Sequence, residues 1–320
     1  FEDFINYLPN QIYIGNEKPE ILEGYKLPYC EIDYKSDKIE GKYGRIISES
    51  EFIAVMKYCD EFDLVMLSED YVNEFKEKVE GKFPELESRF SKLISSDISK
   101  AEDLIKNDKA MGIYIEGKLM GYVRQAHDTD VNLNAHTVFE NIVSKASGVL
   151  AAIETIKHSD VSKDDIQYVI ECSEEACGDI NQRGGGNFAK AIAEVAGVEN
   201  ATGSDVRSFC AAPMHAIMQA SALVQAGIYE NVLVVAGGST AKLGMNARDH
   251  IKKGLPILED AIAGFGVIIS KNDGISPVLR TDIIGRHTVK TGSSPQAVIS
   301  SLVSEPLNKN GLKISDRSEE

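Results

Sequence analysis

The segment Asn231-Val-Leu-Val-Val-Ala236 constrains the fold of this chain more than any other. A strand with one wet face alternates apolar and polar side chains, whereas this run is apolar throughout after its first residue. Such a strand is covered on both faces, and in α/β proteins helices do the covering. The flanking sequence supplies them. Thr137 to Lys157 carries apolar residues at helical spacing (Val138, Ile142, Val149, Ile153), and Phe188 to Ala196 forms a second helix. Ala212 to Gly227 is an Ala-rich third, with Gly227 as a natural C-terminal stop. Further strands are expected at 166–170, 204–208, 261–269 and 278–285, and a last helix at 294–308. This alternation, beginning near residue 134, predicts an α/β domain with a mostly parallel sheet.

The preceding third is different. Tyr13-Ile14-Gly15 and Leu64-Val65-Met66-Leu67 read as short strands, and Asp70 to Phe90 as a solvated amphipathic helix. Residues 112–115 and 119–123 flank Glu116-Gly117-Lys118 and read as a β-hairpin. No chemical motif stands out in this region.

Charge narrows the function. The 320 residues hold 50 acidic and 34 basic side chains, a formal charge of −16, so nucleic acid is not an expected partner. The imbalance is local: residues 1–100 hold 22 acidic and 13 basic groups, residues 201–270 five of each. An anionic substrate would therefore meet the least opposition around 201–270. No apolar run reaches the roughly 18–20 residues of a membrane span. Phe1-Glu2-Asp3-Phe4 lacks the basic and apolar regions of a signal peptide. Five cysteines without such a signal argue against a disulfide framework and for a reduced, cytoplasmic setting. The first residue is not Met, which leads us to expect a fragment or a processed chain.

One segment carries chemistry: Asp205-Val-Arg-Ser-Phe-Cys-Ala-Ala-Pro-Met-His215. A strand ends, Cys210 follows, and small residues with a Pro open the Ala-rich helix. At a helix N-terminus the dipole and the unpaired N–H groups favour a thiolate, which is a nucleophile for acyl or alkyl transfer. The competing reading is a small buried hydrophobe, since cysteine is among the most buried residue types. The local pattern leaves both open.

The order strand, Cys, Ala-rich helix, Gly and apolar strand over Val206 to Thr240 resembles the first half of the thiolase superfamily, in particular its ketoacyl synthase III (FabH-like) branch. Ser162-Lys-Asp-Asp-Ile-Gln-Tyr-Val-Ile170 and the Gly-rich stretch Asp260 to Ile269 fit the same pattern, so the likeness covers about 134–317. The segments 126–136, Arg183-Gly-Gly-Gly-Asn-Phe188 and Ser208-Phe-Cys-Ala-Ala-Pro-Met-His215 are similar to the family of component C β subunits of the clostridial glycine/sarcosine/betaine reductase complex. The resemblance implies a layered α-β-α thiolase-like fold, its first half essentially complete and its second half truncated. It divides the chain into an N-terminal α+β extension (1–133), a first half bearing the nucleophile (134–290) and the start of a second half (291–320). It makes Cys210 the nucleophile. It further implies a PlsX-like α subunit and a small selenoprotein carrying a carboxymethyl group as partners, with phosphate as final acceptor and acetyl phosphate as product.

In that family the second half supplies a His beside the nucleophile and much of the oxyanion hole. No residue here fits that role, and His287 lies too early, so this stretch is expected to be incomplete as a catalyst. Thiolase-fold proteins also dimerise through a first-half strand, which places a homo- or hetero-oligomeric contact within 166–210. Two other readings stay open: an independent condensing enzyme using acyl-CoA and acyl carrier protein, and a non-catalytic scaffold subunit.

Other groups are weaker candidates. His215 follows Cys210 by just over one helical turn and could approach the thiol or serve only in packing. Arg183 with Gly184, Gly185 and Gly186 could cradle an anion, although the segment fits neither the Walker nor the dinucleotide-binding pattern. Gly237 and Gly238, with Ser239, close the buried strand in a turn where backbone could approach a substrate. Cys172 and Cys177 have neither the spacing nor the second pair of a zinc site, and could serve Cys210 as a redox partner. His127, Asp128 and Asp130 lack a fourth ligand at sensible spacing and read as loop polar groups. No metal and no cofactor is expected.

Overall fold

A computed structural model describes residues 40–41, 44–173, 187–240, 252–253 and 262–313, apart from the side chain of Val131. The strand expected at Tyr13 lies outside these residues.

The N-terminal part builds a small layer. β1 (Glu40–Gly41) and β2 (Gly44–Arg45) pair antiparallel. α1 (Glu49–Cys59) starts at a capping box, in which Ser48 Oγ accepts the Glu51 amide and Glu51 accepts the Ser48 amide at 2.7 Å. β3 (Val65–Leu67) leads into α2 (Glu69–Val79). α2 stops well short of the expected Phe90 because Gly81 (φ +70) and Pro84 break it. A 3₁₀ stretch, Pro84–Lys92, replaces its second half. α3 (Ala101–Lys106) precedes the hairpin of β4 (Ala110–Ile115) and β5 (Lys118–Arg124), which forms as expected. β5 is central in the antiparallel order β3-β5-β4.

α4 (Ala135–Lys157) begins at Asn134, whose side chain accepts the Thr137 amide at 2.9 Å. From Glu140 to Val149 every residue of α4 is buried. A helix apolar only on one stripe would not be; this one is enclosed between layers. Its Val138, Ile142, Val143 and Val149 share one core cluster with α1, β3 and β5 and with residues of the second sheet, so the core runs across position 133.

The second sheet has the order β7-β6-β8-β9, from β6 (Tyr168–Glu171), β7 (Thr202–Asp205), β8 (Asn231–Ala236) and β9 (Phe265–Ser270). β6 lies parallel to both β7 and β8, and β9 closes the edge antiparallel to β8. The two-sided burial expected for β8 is observed. Leu233 and Val235 join the cluster of α4 and α5 (Phe188–Ala196), while Val232, Val234 and Ala236 face α6 (Ala212–Gln225). Ala212, Ala216 and Ala220 are fully buried at a spacing of four, which lets α6 lie close on the sheet. Gly266 of β9 has the same purpose on the other face, where a Cβ would stand 2.3 Å from Thr155 Oγ1 of α4.

The expected strand at 278–285 is not formed. Pro277 lacks a donor, Val278 and Leu279 are exposed, and this segment turns instead of pairing. The last helix occupies 295–309, as α7 (Pro295–Ile299), a π-turn at Ser300–Ser304 and α8 (Glu305–Lys309). Pro306 cannot donate to residue 302, and the wider turn just before it accommodates the loss.

Candidate active site

Three parallel strands end on one side of the sheet. From β6 the chain passes through α5 to β7 on one side, then through α6 to β8 on the other, so connections diverge at β6. A crevice at the carboxyl ends of the strands beside such a switch point is where open α/β sheets bind ligands. Glu171, Asp205 and Gly237 stand at those three ends.

Cys210 follows β7 at this edge. It sits in a single 3₁₀ turn, Phe209–Ala211, that leads directly into α6. The Ala211 amide bonds the Ser208 carbonyl at 3.1 Å, closing the turn, and Ala212 is buried beneath it. Cys210 itself is exposed, which removes the buried-hydrophobe reading, whereas Cys59 and Cys172 are buried. Phe209 adopts φ +47, a left-handed conformation rare for a side-chain-bearing residue. Phe209, Met214 and Met218 are exposed apolar side chains near Cys210, and the same face of α6 exposes His215 and Gln219.

Below the turn lies a charged pair that sequence reading missed. Glu171 is fully buried, and Arg207 Nη1 stands 2.5 Å from its Oε2. Glu171 Oε1 accepts the Ser173 amide at 2.6 Å. Burial pushes the Glu171 carboxyl above the usual carboxylate range, against the pull of Arg207 and Ser173. Asp205 accepts the Phe188 and Ala189 amides at 3.0 and 2.8 Å and so caps α5. Its Oδ2 is 3.9 Å from Arg207 Nη2. One signal was available: Glu171 directly follows the apolar Val169-Ile170, and a charge carried into the sheet there needs a partner.

Gly237 and Gly238 are held against α4. Gly237 donates to Ser173 Oγ at 2.7 Å and Gly238 to Ser147 Oγ at 2.8 Å, while Ser144 Oγ donates to the Gly238 carbonyl at 2.9 Å. A Cβ on Gly237 would stand 1.9 Å from the Ser144 carbonyl oxygen. Both amide protons are thus committed to serine hydroxyls. Buried Glu140 secures the next two residues: it accepts Ser239 Oγ at 2.6 Å, the Thr240 amide at 2.9 Å and the Thr240 hydroxyl.

His215 is exposed on α6, one residue ahead of buried Ala216. Cys172 Sγ points to the Val235 carbonyl at 3.5 Å, and burial, with the Glu171 charge, pushes its thiol up to about 12. Arg183, Gly184, Gly185, Gly186 and Cys177 lie outside the described residues. His127 accepts the Asp130 amide at 3.0 Å, Asp128 accepts Gln125 Nε2 at 2.8 Å and Asp130 caps the turn at Asn132, so all three are engaged locally. His287 Nε2 meets the Gly292 carbonyl at 3.1 Å, within its own loop. Among the described residues, Glu40, Glu154 and His158 converge with ligand atoms within 4.8 Å of one another. Lys157 and Arg45 already neutralise those two carboxylates.

Known proteins resemble this chain in the same places. Residues 204–285, which span Cys210, α6, β8 and β9, match the family of 3-oxoacyl-[acyl-carrier-protein (ACP)] synthase III. Over 99% of its length the chain is 51% identical to the glycine/sarcosine/betaine reductase complex component C subunit beta of Peptoclostridium acidaminophilum. The chain is similar to that subunit along nearly its whole length. It spans 62% of this relative's length. Two solved structures also align. The priming β-ketosynthase of the R1128 polyketide pathway is 21% identical, with 54% of this chain and 42% of that one covered and a TM-score of 0.32. A 3-oxoacyl-(acyl-carrier-protein) synthase III is 20% identical, with 32% and 29% covered and a TM-score of 0.28. The stretch that matches the synthase family contains Arg207 and the Cys210 turn. No described helix is long and apolar enough to cross a membrane.

Proposed function

We propose that this chain is the thiolase-fold acyl-transfer subunit of a glycine/sarcosine/betaine reductase complex, with Cys210 as its nucleophile. The observation that carries the reading is the exposed Cys210 on a strained turn between β7 and α6, within the stretch similar to 3-oxoacyl synthases. In this reading the Cys210 thiolate attacks the carbonyl carbon of an acetyl group derived from the carboxymethyl unit, and the carrier of that group leaves with its electron pair as the carbon–sulfur bond forms. An acetyl-thioester on the working thiol is then cleaved by phosphate, giving acetyl phosphate and restoring the thiol. The partners are a PlsX-like α subunit, where phosphate enters, and a small selenoprotein carrying the carboxymethyl group. His215, Arg183, Gly184, Gly185 and Gly186 are assigned a supporting role near the substrate, as are Gly237 and Gly238 through the tight turn that their engaged amides hold in place.

The same reading divides the chain at 133/134 and 290/291, with 134–290 as the nucleophile-bearing half. It puts a homo- or hetero-oligomeric contact within 166–210, a range in which β7 exposes Thr202 and Asp205. The similarity of 204–285 to 3-oxoacyl synthases favours one alternative, a condensing enzyme using acyl-CoA. The test is acetyl phosphate formation by the assembled complex carrying Cys210→Ser. Loss of product with subunit assembly intact supports the reading, and an unchanged rate assigns the thiol to the partner subunit. Turnover of acyl-CoA by the chain with its natural flanking sequence would favour the condensing enzyme.

A further inference from the structure

A left-handed conformation at a residue such as Phe209 costs on the order of 1–3 kcal/mol and persists only where the surroundings over-determine it. On the C-terminal side the restraint is plain: the Ala211 amide bonds Ser208, and buried Ala212 roots α6 in the sheet. On the N-terminal side it comes from Glu171. The Glu171 carbonyl accepts the Val206 amide at 2.8 Å, and its carboxylate holds Arg207 at 2.5 Å. The other carboxylate oxygen takes the Ser173 amide, and Ser173 Oγ takes that of Gly237. One residue therefore fastens the ends of β6 and β7 directly and the end of β8 through Ser173.

Glu171 is fully buried while 34% of the Arg207 side chain is exposed, and the desolvation of the acid offsets most of the attraction, so the pair is an inefficient source of stability. What an arginine does offer is direction, since its planar fork fixes where the chain that carries it must run. We infer that Glu171 and Arg207 are positioning residues for Cys210: they hold the chain at 206–208 against β6 so that the strained turn presents the thiol outward. The inference rests on the reading of Cys210 as nucleophile. Among the described residues, the other ionisable groups facing the pair are Asp205, committed to the α5 amides, and the Cys172 thiol.

The test measures the rate of Cys210 alkylation by iodoacetamide, a neutral reagent that no charge steers, with peptide mapping. Wild type is compared with Glu171→Gln, Arg207→Lys and the double variant Glu171→Gln/Arg207→Gln. The double variant leaves no buried charge unpaired and so remains informative if a single variant fails to fold. Glu171→Gln and the double variant should slow Cys210 alkylation by roughly ten-fold. Arg207→Lys should recover part of the rate, and circular dichroism and the protection of Cys172 should stay native. In the assembled complex kcat should fall with KM little changed. A folded double variant whose Cys210 reacts at the wild-type rate would overturn the inference and leave the nucleophile reading standing. Failure of wild-type Cys210 to react while folded would overturn both.

Discussion

The ammonium of Lys145, fully enclosed in α4, donates to the carbonyl of Cys59 at the last turn of α1, 2.9 Å away. The bond spans the two layers of the chain, and burial lowers the Lys145 pKa from its ordinary value. Replacing the side chain by Ala should cost about 2–5 kcal/mol, since it opens a cavity and removes this donor from the α1 terminus. Met fills most of the same volume without a charge to desolvate, and Lys145→Met should stay within about 1 kcal/mol of wild type. Urea unfolding of the two variants decides it. Equal losses would mean that the hydrogen bond, and not volume, dominates.

Thiol chemistry should be sharply ranked. Burial pushes Cys59 up to about 11 and Cys172 up to about 12, and neither is reachable from solvent, whereas Cys210 is exposed. Brief alkylation near pH 8 should therefore modify Cys210 and leave Cys59 and Cys172 intact until denaturant is added. Mass mapping of the peptides checks this, and early labelling of Cys172 would contradict the packing of β6 against β8.

Two glycines separate close approach from backbone conformation. Gly237→Ala drives a methyl into the Ser144 carbonyl and should cost about 3 kcal/mol or prevent folding. Gly227 has φ +70 but open space around it, so Gly227→Ala should cost only about 1 kcal/mol. Melting temperatures of the two proteins give the comparison.

The acid limit of the N-terminal layer should involve Glu61. Burial alone would push its carboxyl up, but Lys92 at 2.9 Å and the contact with Arg89 bring it below its ordinary value. A lowered carboxylate contributes stability that is complete above about pH 4.5 and disappears as pH falls through the folded-state value. Melting temperature followed from pH 6 down to pH 3 should fall less steeply for Glu61→Gln than for wild type. Parallel curves would exclude Glu61 from the acid transition.

Much of the chain from α4 to β9 could be read from pattern. Phe188–Ala196 and Asn231–Ala236 form over the very residues expected, because their burial is dictated by local periodicity. β7 sits two residues earlier than expected, since Val206 still bonds Glu171 while the chain already turns toward Cys210. Residues 278–285 looked like a strand from their apolar content, but a strand exists only with a partner, and none reaches them among the described residues. Cys210 was legible because a Cys between a strand and an Ala-rich helix is a local signal. The Glu171–Arg207 pair was not, because Glu171 ends β6 and Arg207 lies just past β7, and they meet only once the two strands are in register. Nor does a phenylalanine announce a left-handed turn; its side chain argues against one.

The enclosure of α4 from Glu140 to Val149 has a kinetic consequence. No amide proton at its centre can reach water by fraying of an end or loosening of one sheet, since the other layer still covers it. Those protons can exchange only when both sheets leave the helix together, so their exchange clock keeps time with the opening of the whole molecule.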